Sequence, residues 1–356
     1  EYIQQGFPVK FYFSGNINSA EDECDFIRAM KQQGVSGIIS FYGQDIRKIV
    51  ETCDEEEMYY VLGSGNISDE DYDKIKNSQY FLGSVGPDAK ADYEAGYNMA
   101  EYFADADTSK YIVLTGGSSA GNYMHLQRAI GVLEALAEKE GLTYSEDVEK
   151  LAASEETTVV DTGKDDISIT ICPGYMTAPK GINNLKHAFV DGNYDAVLCT
   201  FNVDEIMKIV TAKEDEQGSN IKIGAVDCFS QENHDEINTE DSFGNPKIDY
   251  IAGKYASMGG PAFAILYNAM AGYPEANTDD ADSNTVRLYQ GFWSASDKAS
   301  FNKLYGYTQD IYENAYSCAD LMKVIKSYNP DTTPDDMKAL TEAYTVEDVQ
   351  KRMEEK

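Results

Sequence analysis

Carboxylate and amide side chains stand where several short apolar segments of this 356-residue chain end. Asp88, Asn202, Asp204 and Asp227 each follow or close such a segment, and Arg128 lies in a helical stretch after another one. Carboxylates accept hydrogen bonds, Asn both donates and accepts, and Arg donates through a planar fork. Such a set matches a neutral polyol, because every hydroxyl group needs donors and acceptors aimed at it.

The segments before these residues predict an α/β fold. Tyr111–Thr115, Ala196–Cys199 and Ile221–Val226 are apolar without polar alternation, which is typical of strands buried on both faces. Helical stretches between them indicate parallel crossovers. Ligands bind such sheets outside the carboxyl ends of the strands, so the polar residues there mark a binding crevice.

Composition narrows the function classes. Two domains are the natural expectation at this length. The formal net charge of -33 opposes binding to nucleic acid and to anionic membranes, and it fits a soluble, secreted surface. No run approaches the roughly 20 apolar residues of a membrane span. The six cysteines form no CxxC pair and the three histidines match no zinc spacing, so neither a metal nor another cofactor is expected.

Simpler explanations exist for each candidate. Asp88 and Asp227 could cap turns or helices, Asp204 could cap the helix that follows it, and Arg128 could be a surface arginine. The glycine-rich stretch 116–121 lacks the ending of a P-loop and the spacing of a dinucleotide fingerprint. We therefore interpret it as a loop beside the ligand.

The two ends of the chain carry separate expectations. Residues 1–6 look like the end of a helix that feeds a strand over 7–13, so we expect an upstream strand, a helix and any export signal to be missing from this sequence. Residues 286–290 are strand-like, and the last 50 residues look helical, with helix starts at Thr333 and Thr345.

The order and spacing of these elements resemble the type I periplasmic binding proteins, the sugar-type solute receptors of ABC importers. The resemblance runs from residue 7 to about 290. It implies two doubly wound, parallel-sheet lobes joined by a three-strand hinge, with the ligand in a cleft between them. The N-terminal lobe would comprise 1–108 and 250–280, and the C-terminal lobe 109–249 and 281–356, including a helical C-terminal extension.

The resemblance also assigns roles to single residues. Asp88 and Asp227 match strand-end aspartates that bond sugar hydroxyls, and Arg128 matches an arginine that forks onto sugar oxygens. Tyr175, in Pro173-Gly-Tyr-Met, matches an aromatic face that stacks on the ligand. Asn202 and Asp204 match an Asn-Asp pair, but Val203 separates them, which leaves open which one reaches the ligand.

Two further residues complete the candidate set. Lys254 lies near the position of a polar hinge residue, although the usual glutamine is absent. Tyr42, close to Phe41 and Gln44, follows a predicted strand end and could line the rim of the cleft.

The implied function is that of an extracellular solute receptor that closes around a carbohydrate. It would be a monomer, would deliver its ligand to the membrane permease of an ABC importer, and would be lipid-anchored to the cell surface or periplasmic. Two alternatives remain. One is a receptor for a signalling system, docking through the C-terminal extension; the other is a sugar-modifying enzyme on the same scaffold. The sequence offers no recognisable nucleophile–His pair, so no catalytic residue is predicted.

Overall fold

A computed structural model of the chain describes residues 6–63, 67–104, 107–117, 122–254, 258–280, 283–309 and 316–354. Its strands are β1 Gly37–Ser40, β2 Tyr59–Gly63, β3 Phe81–Gly86, β4 Lys110–Thr115, β5 Thr158–Val159, β6 Ser168–Pro173, β7 Ala196–Cys199, β8 Lys222–Cys228, β9 Tyr250–Lys254, β10 Val286–Tyr289 and β11 Trp293–Ala295. Its α-helices are α1 Ala20–Gln32, α2 Ile46–Glu55, α3 Asp69–Ile75, α4 Ala89–Phe103, α5 Tyr123–Glu140, α6 Val148–Ala152, α7 Pro179–Asp191, α8 Met207–Gln217, α9 Gln231–Asn238, α10 Gly259–Met270, α11 Lys298–Gln309, α12 Cys318–Val324, α13 Pro334–Glu342 and α14 Val346–Glu354.

Local sequence signals explain where these elements begin and which face they bury. Ser19 caps α1, because its Oγ accepts a hydrogen bond from the backbone N–H of Asp22 at 3.1 Å. Cys24, Ile27 and Met30 then recur at helical spacing and are buried. Together with the parallel strand pairings described next, these elements confirm the predicted α/β fold.

The chain divides into two compact units. Unit 1 comprises 1–88, 256–291 and 307–356, and unit 2 comprises 89–255 and 292–306. The sheet of unit 1 has the strand order β1-β2-β3-β10, and all of its pairings are parallel. The sheet of unit 2 has the order β11-β9-β8-β7-β4-β6-β5; β11 and β5 pair antiparallel with their neighbours and the other pairings are parallel.

These units differ from the predicted lobes at both ends of unit 2. Helix α4 belongs to unit 2 because it packs backbone to backbone on α5: a Cβ on Gly96 would lie 2.0 Å from the carbonyl oxygen of Arg128. A Cβ on Gly131 would lie 2.1 Å from the carbonyl oxygen of Tyr93. Only glycine permits this approach, and it brings the side chains of the two helices into register.

The C-terminal extension belongs to unit 1, whereas the sequence assigned it to the C-terminal lobe. Strand β10 pairs with β3 of unit 1, Val286 opposite Gly83. The buried side chain of Asn268 in α10 then binds the extension twice: its Nδ2 donates to the carbonyl oxygen of Val324 at 3.1 Å, and its Oδ1 accepts from the N–H of Lys326 at 2.8 Å. The extension is therefore a packed part of unit 1.

The predicted strand over 7–13 is wrong, because the structure gives these residues no strand pairing. A strand needs a neighbouring strand for its backbone hydrogen bonds, and no described strand is paired with this segment. Phe7 is instead buried among the rings of Phe263, Tyr267 and Tyr328, at centroid distances of 5.2, 5.3 and 5.2 Å. Hydrophobic packing, not a sheet, holds this part of the chain.

Candidate ligand-binding site

The candidate site in unit 2 lies at one edge of its sheet. Strands β9, β8, β7, β4 and β6 are consecutive neighbours and mutually parallel, so their carboxyl ends meet at this edge. Asn202 and Asp204 follow β7, and Tyr175 follows β6. Asp227 is the penultimate residue of β8. The structure thus brings these four predicted residues to the same edge of the sheet.

Asn202, Asp204 and Asp227 form one hydrogen-bonded group. The Nδ2 of Asn202 lies 2.9 Å from Oδ2 of Asp204 and 3.0 Å from Oδ2 of Asp227. The backbone N–H of Asp204 returns a bond to Oδ1 of Asn202 at 2.8 Å. Val203 points into the core and is fully buried. The inserted valine therefore turns inward, and both flanking polar side chains remain in the same group.

The environment of Asp204 raises the pKa of its carboxyl above the ordinary value. Burial raises the pKa of this carboxyl, and the nearby charges of Asp227, Glu232 and Glu236 act in the same direction, while the hydrogen bond from Asn202 opposes them. Its Oδ1 is buried and has no hydrogen-bond partner among the described residues. A buried polar atom left unpaired costs about 1–3 kcal/mol, so a hydroxyl donor from a ligand would be stabilising here.

Asn233, which the sequence analysis missed, supports the same group from α9. Its side chain is fully buried, and its Nδ2 donates to Oδ2 of Asp227 at 2.8 Å and to the carbonyl oxygen of Cys228 at 2.9 Å. Ser230 caps α9 by accepting from the backbone N–H of Asn233 at 3.1 Å. A polar residue one turn into a helix that directly follows a site strand is the signal that could have identified it.

Arg128 lies beneath this edge and is only 2% exposed. Its Nε donates to Oδ1 of Asp92 at 2.8 Å, and its Nη1 donates to the carbonyl oxygens of Thr200 at 3.0 Å and Val226 at 3.3 Å. The ring of Phe292 faces the guanidinium at 5.3 Å. Arg128 therefore ties α4 and α5 to the ends of β7 and β8, a role the sequence did not predict.

One atom of Arg128 is not used in this network. Its Nη2 is buried without a hydrogen-bond partner among the described residues. Thr115, at the end of β4, likewise has a buried Oγ1 without a described partner. The predicted contact between Arg128 and a ligand remains a prediction, now restricted to Nη2.

Tyr175 belongs to a cluster of three rings. Its hydroxyl lies 2.9 Å from Nδ1 of His125, and its ring meets that of Phe201 edge-on at 5.3 Å. The rings of His125 and Phe201 lie 5.5 Å apart. The sequence predicted a role for Tyr175 but not for the other two rings. Phe201 directly precedes Asn202, so the ring cluster adjoins the hydrogen-bonded group of Asn202, Asp204 and Asp227.

Two further predicted residues lie in unit 1, and a third ends β9 at the edge of the unit 2 sheet that carries the group. In unit 1, half-buried Asp88 follows β3 and Tyr42 follows β1, both at carboxyl ends of parallel strands. The hydroxyl of Tyr42 donates to Oε1 of Gln44 at 3.2 Å, and burial followed by the charges of Asp22, Glu23 and Asp45 raises its pKa. Lys254 is the last residue of β9, and its side chain lies outside the described part of the structure.

Within the described ranges, no group of three or more His, Cys, Asp or Glu side chains is arranged to hold a metal ion. No described helix is both long and apolar enough to cross a bilayer. The six cysteines, all of them in the described ranges, form no disulfide bond.

Comparison with known proteins supplies a fold but no close relative. No protein-family model and no curated protein matches the chain. Solved structures do match: a galactofuranose binding protein is similar with a TM-score of 0.53 at 12% identity, covering 82% of this chain and 86% of that one. The periplasmic component of an arabinose ABC transporter from Shewanella sp. ANA-3, bound to L-arabinofuranose, gives 0.51 at 14% identity over 81% and 82%.

A third structure extends the same pattern. A Mycobacterium smegmatis protein in complex with β-D-fucofuranose gives a TM-score of 0.52 at 15% identity, over 86% of this chain and 84% of that one. Identities this low establish similarity of fold only. In its two units, its parallel sheets and the order of its elements, this chain has the fold of the type I periplasmic binding proteins.

Proposed function

We propose that this protein is a solute receptor that works outside the cytoplasm, binds a small carbohydrate and delivers it to an ABC importer. The observation that carries the proposal is the hydrogen-bonded group of Asn202, Asp204 and Asp227 at the carboxyl edge of the unit 2 sheet. Its aspartates can accept hydrogen bonds from hydroxyl groups. The nearby Nη2 of Arg128 can donate one to a hydroxyl or ring oxygen.

The unpaired buried atoms favour a ligand with both donors and acceptors. Oδ1 of Asp204 needs a donor and Nη2 of Arg128 needs an acceptor, and a sugar hydroxyl supplies either. The rings of Tyr175 and Phe201 add apolar surface for the C–H groups of a sugar. Micromolar affinity requires only about -8 kcal/mol, which a few such contacts provide.

The structural neighbours support the same ligand class. Three of them are described as binding galactofuranose, arabinofuranose or fucofuranose, and the arabinose protein is a component of an ABC transporter. We accordingly propose Asp88 and Tyr42 of unit 1 as further ligand contacts and Lys254 as a hinge residue. Ligand capture would proceed by closure of the two units.

Thermal shift followed by calorimetry tests this function. The panel should contain D-galactose, L-arabinose, D-fucose, D-ribose and D-glucose, with amino acids and nucleosides as competitors. A sugar at 100 times its Kd should stabilise the protein by about 2.7 kcal/mol. Asp227→Asn should weaken that binding at least tenfold, with Asp235→Asn, an exposed neighbour on α9, as the matched control.

Two results would redirect the proposal. A response to amino acids or nucleosides alone would remove the carbohydrate claim. Turnover of a bound sugar, detected by chromatography after long incubation, would favour the enzyme hypothesis over a receptor.

A further inference from the structure

Oδ2 of Asp227 is held by two amide groups from different elements. Asn202, after β7, donates to it at 3.0 Å, and Asn233, in α9, donates to it at 2.8 Å. Among the described residues, both hydrogen bonds to this carboxylate go to Oδ2. Oδ1 is therefore left for a donor from outside the group.

The two amides differ in how firmly they are held. Asn202 is exposed, whereas Asn233 is fully buried and uses its second Nδ2 hydrogen on the carbonyl oxygen of Cys228. That carbonyl belongs to the residue after Asp227. The side chain of Asn233 thus spans the backbone and the carboxylate of the same strand end, which fixes the direction in which the carboxylate points.

The buried amide of Asn233 carries a cost and two compensating bonds. Its Oδ1 is buried without a hydrogen-bond partner among the described residues. Its two Nδ2 hydrogen bonds, to Oδ2 of Asp227 and to the carbonyl oxygen of Cys228, offset that cost. Of these two bonds, the one to Asp227 orients a side chain of the candidate site.

We propose that Asn233 is a positioning residue for ligand recognition: it orients the carboxylate of Asp227 so that Oδ1 meets one particular hydroxyl group of the ligand. This inference rests on the proposed function. It adds a specificity-determining residue in α9 that need not touch the ligand itself.

Asn233→Asp is the sharpest test, because it has nearly the same shape and can donate only when protonated. The charged groups near this position are Asp227 of β8, Asp204 after β7, Lys247, which pairs with Glu236, and the titratable groups of α9 itself, which are Glu232, His234, Asp235 and Glu236. Asp227 is acidic and is hydrogen-bonded to residue 233, so it favours protonation of the introduced carboxyl. The protonated form can again donate to Asp227.

The expected result is a pH-dependent defect. At pH 7.5 Asn233→Asp should bind the best sugar of the panel at least tenfold more weakly than the wild type. The ratio of the two Kd values should fall towards one as the pH approaches 5. Asn233→Leu should show the defect at every pH. A ratio for Asn233→Asp that stays constant over this range would overturn the proposal.

A ligand-free readout separates this inference from the proposed function. In a crystal structure of ligand-free Asn233→Leu, the Asp227 carboxylate should adopt a different χ1 or χ2 angle from the wild type; an unchanged carboxylate would contradict the positioning role. If no sugar binds the wild type, the receptor proposal fails while this comparison still decides the role of Asn233. If Asn233→Leu does not fold, the ligand-free structure of Asn233→Asp at pH 7.5 replaces it.

Discussion

Gln290 donates a hydrogen bond through Nε2 to the hydroxyl of Tyr316 at 2.8 Å, and a second to the carbonyl oxygen of Thr341 at 3.0 Å. Gln290 directly follows β10, whereas Tyr316 and Thr341 belong to the C-terminal extension. The three residues are buried. Buried hydrogen bonds thereby join the extension to the end of β10, an edge strand of the unit 1 sheet.

Tyr316→Phe should lower the free energy of unfolding of unit 1 by about 1–2 kcal/mol, because it removes a buried hydroxyl that accepts from Gln290 and donates to the carbonyl oxygen of Leu340 at 3.1 Å. Urea unfolding followed by circular dichroism measures this loss. Tyr328→Phe is the control: among the described residues its hydroxyl has a single long contact, of 3.5 Å with Tyr267, so its loss should be near zero. Equal effects of the two substitutions would show that the hydrogen bonds of the Tyr316 hydroxyl contribute nothing.

Arg128→Met should destabilise unit 2 by about 3–5 kcal/mol, since it removes one partner of the buried ion pair between Arg128 and Asp92. Trp293 is the only tryptophan, and it is buried in unit 2, so its fluorescence in urea reports on this unit.

The double variant Arg128→Met with Asp92→Leu provides the control for charge. Removing both charges should recover part of the loss, because the variant no longer buries a carboxylate that has lost its arginine. A double variant less stable than Arg128→Met alone would contradict the view that breaking the Arg128–Asp92 ion pair is the main cost.

The strand-end residues show what a sequence can predict. Asn202, Asp204 and Asp227 were expected to meet because parallel strands bring their carboxyl ends to one edge, and this depends only on local strand patterns and the rule of parallel crossovers. The hydrogen bonds among these three side chains, and the inward turn of Val203, were not predicted.

Contacts between elements distant along the chain could not be predicted in this way. The pairing of Arg128 with Asp92 requires the close approach of α4 and α5 at two glycines, and the pairing of Val286 with Gly83 joins segments about 200 residues apart. Neither leaves a periodic pattern in the sequence. The segment 7–13 failed for the opposite reason: its residues favour a strand, but a strand without a neighbour lacks its hydrogen bonds.

Tyr175 offers a test of the aromatic face in ligand binding. Tyr175→Ala should weaken sugar binding by about 2- to 12-fold, the range expected when about 0.5–1.5 kcal/mol of aromatic contact is lost. Tyr175→Phe keeps the ring and removes the bond to His125, so its affinity should stay within about twofold of the wild type. Calorimetry with the best sugar of the panel measures both; a large loss in Tyr175→Phe would shift the role from the ring to the hydroxyl.

Glu23 should make the stability of unit 1 depend on pH. Burial raises the pKa of this carboxyl, while hydrogen bonds from Ser40 and Tyr60 act against the shift. The folded state therefore keeps its proton to a higher pH than the unfolded chain, so this group favours folding less as the pH rises from the unfolded pKa through the folded one. Glu23→Gln should accordingly gain stability relative to the wild type between pH 4 and pH 7, as measured by urea unfolding at several pH values.

Glu21 on the same turn of α1 supplies a control of opposite sign. Hydrogen bonding and charge from Lys48, followed by Arg28, lower the pKa of this exposed carboxyl. Its ionised form is favoured by folding, and that contribution is lost as the pH falls through the unfolded pKa towards the folded one. Glu21→Gln should therefore lose stability relative to the wild type as the pH rises from the folded pKa of Glu21 to its unfolded pKa, which is below the range in which Glu23→Gln gains it. If both variants followed the same trend, the pH dependence would reflect the overall charge of the chain and not the burial of Glu23.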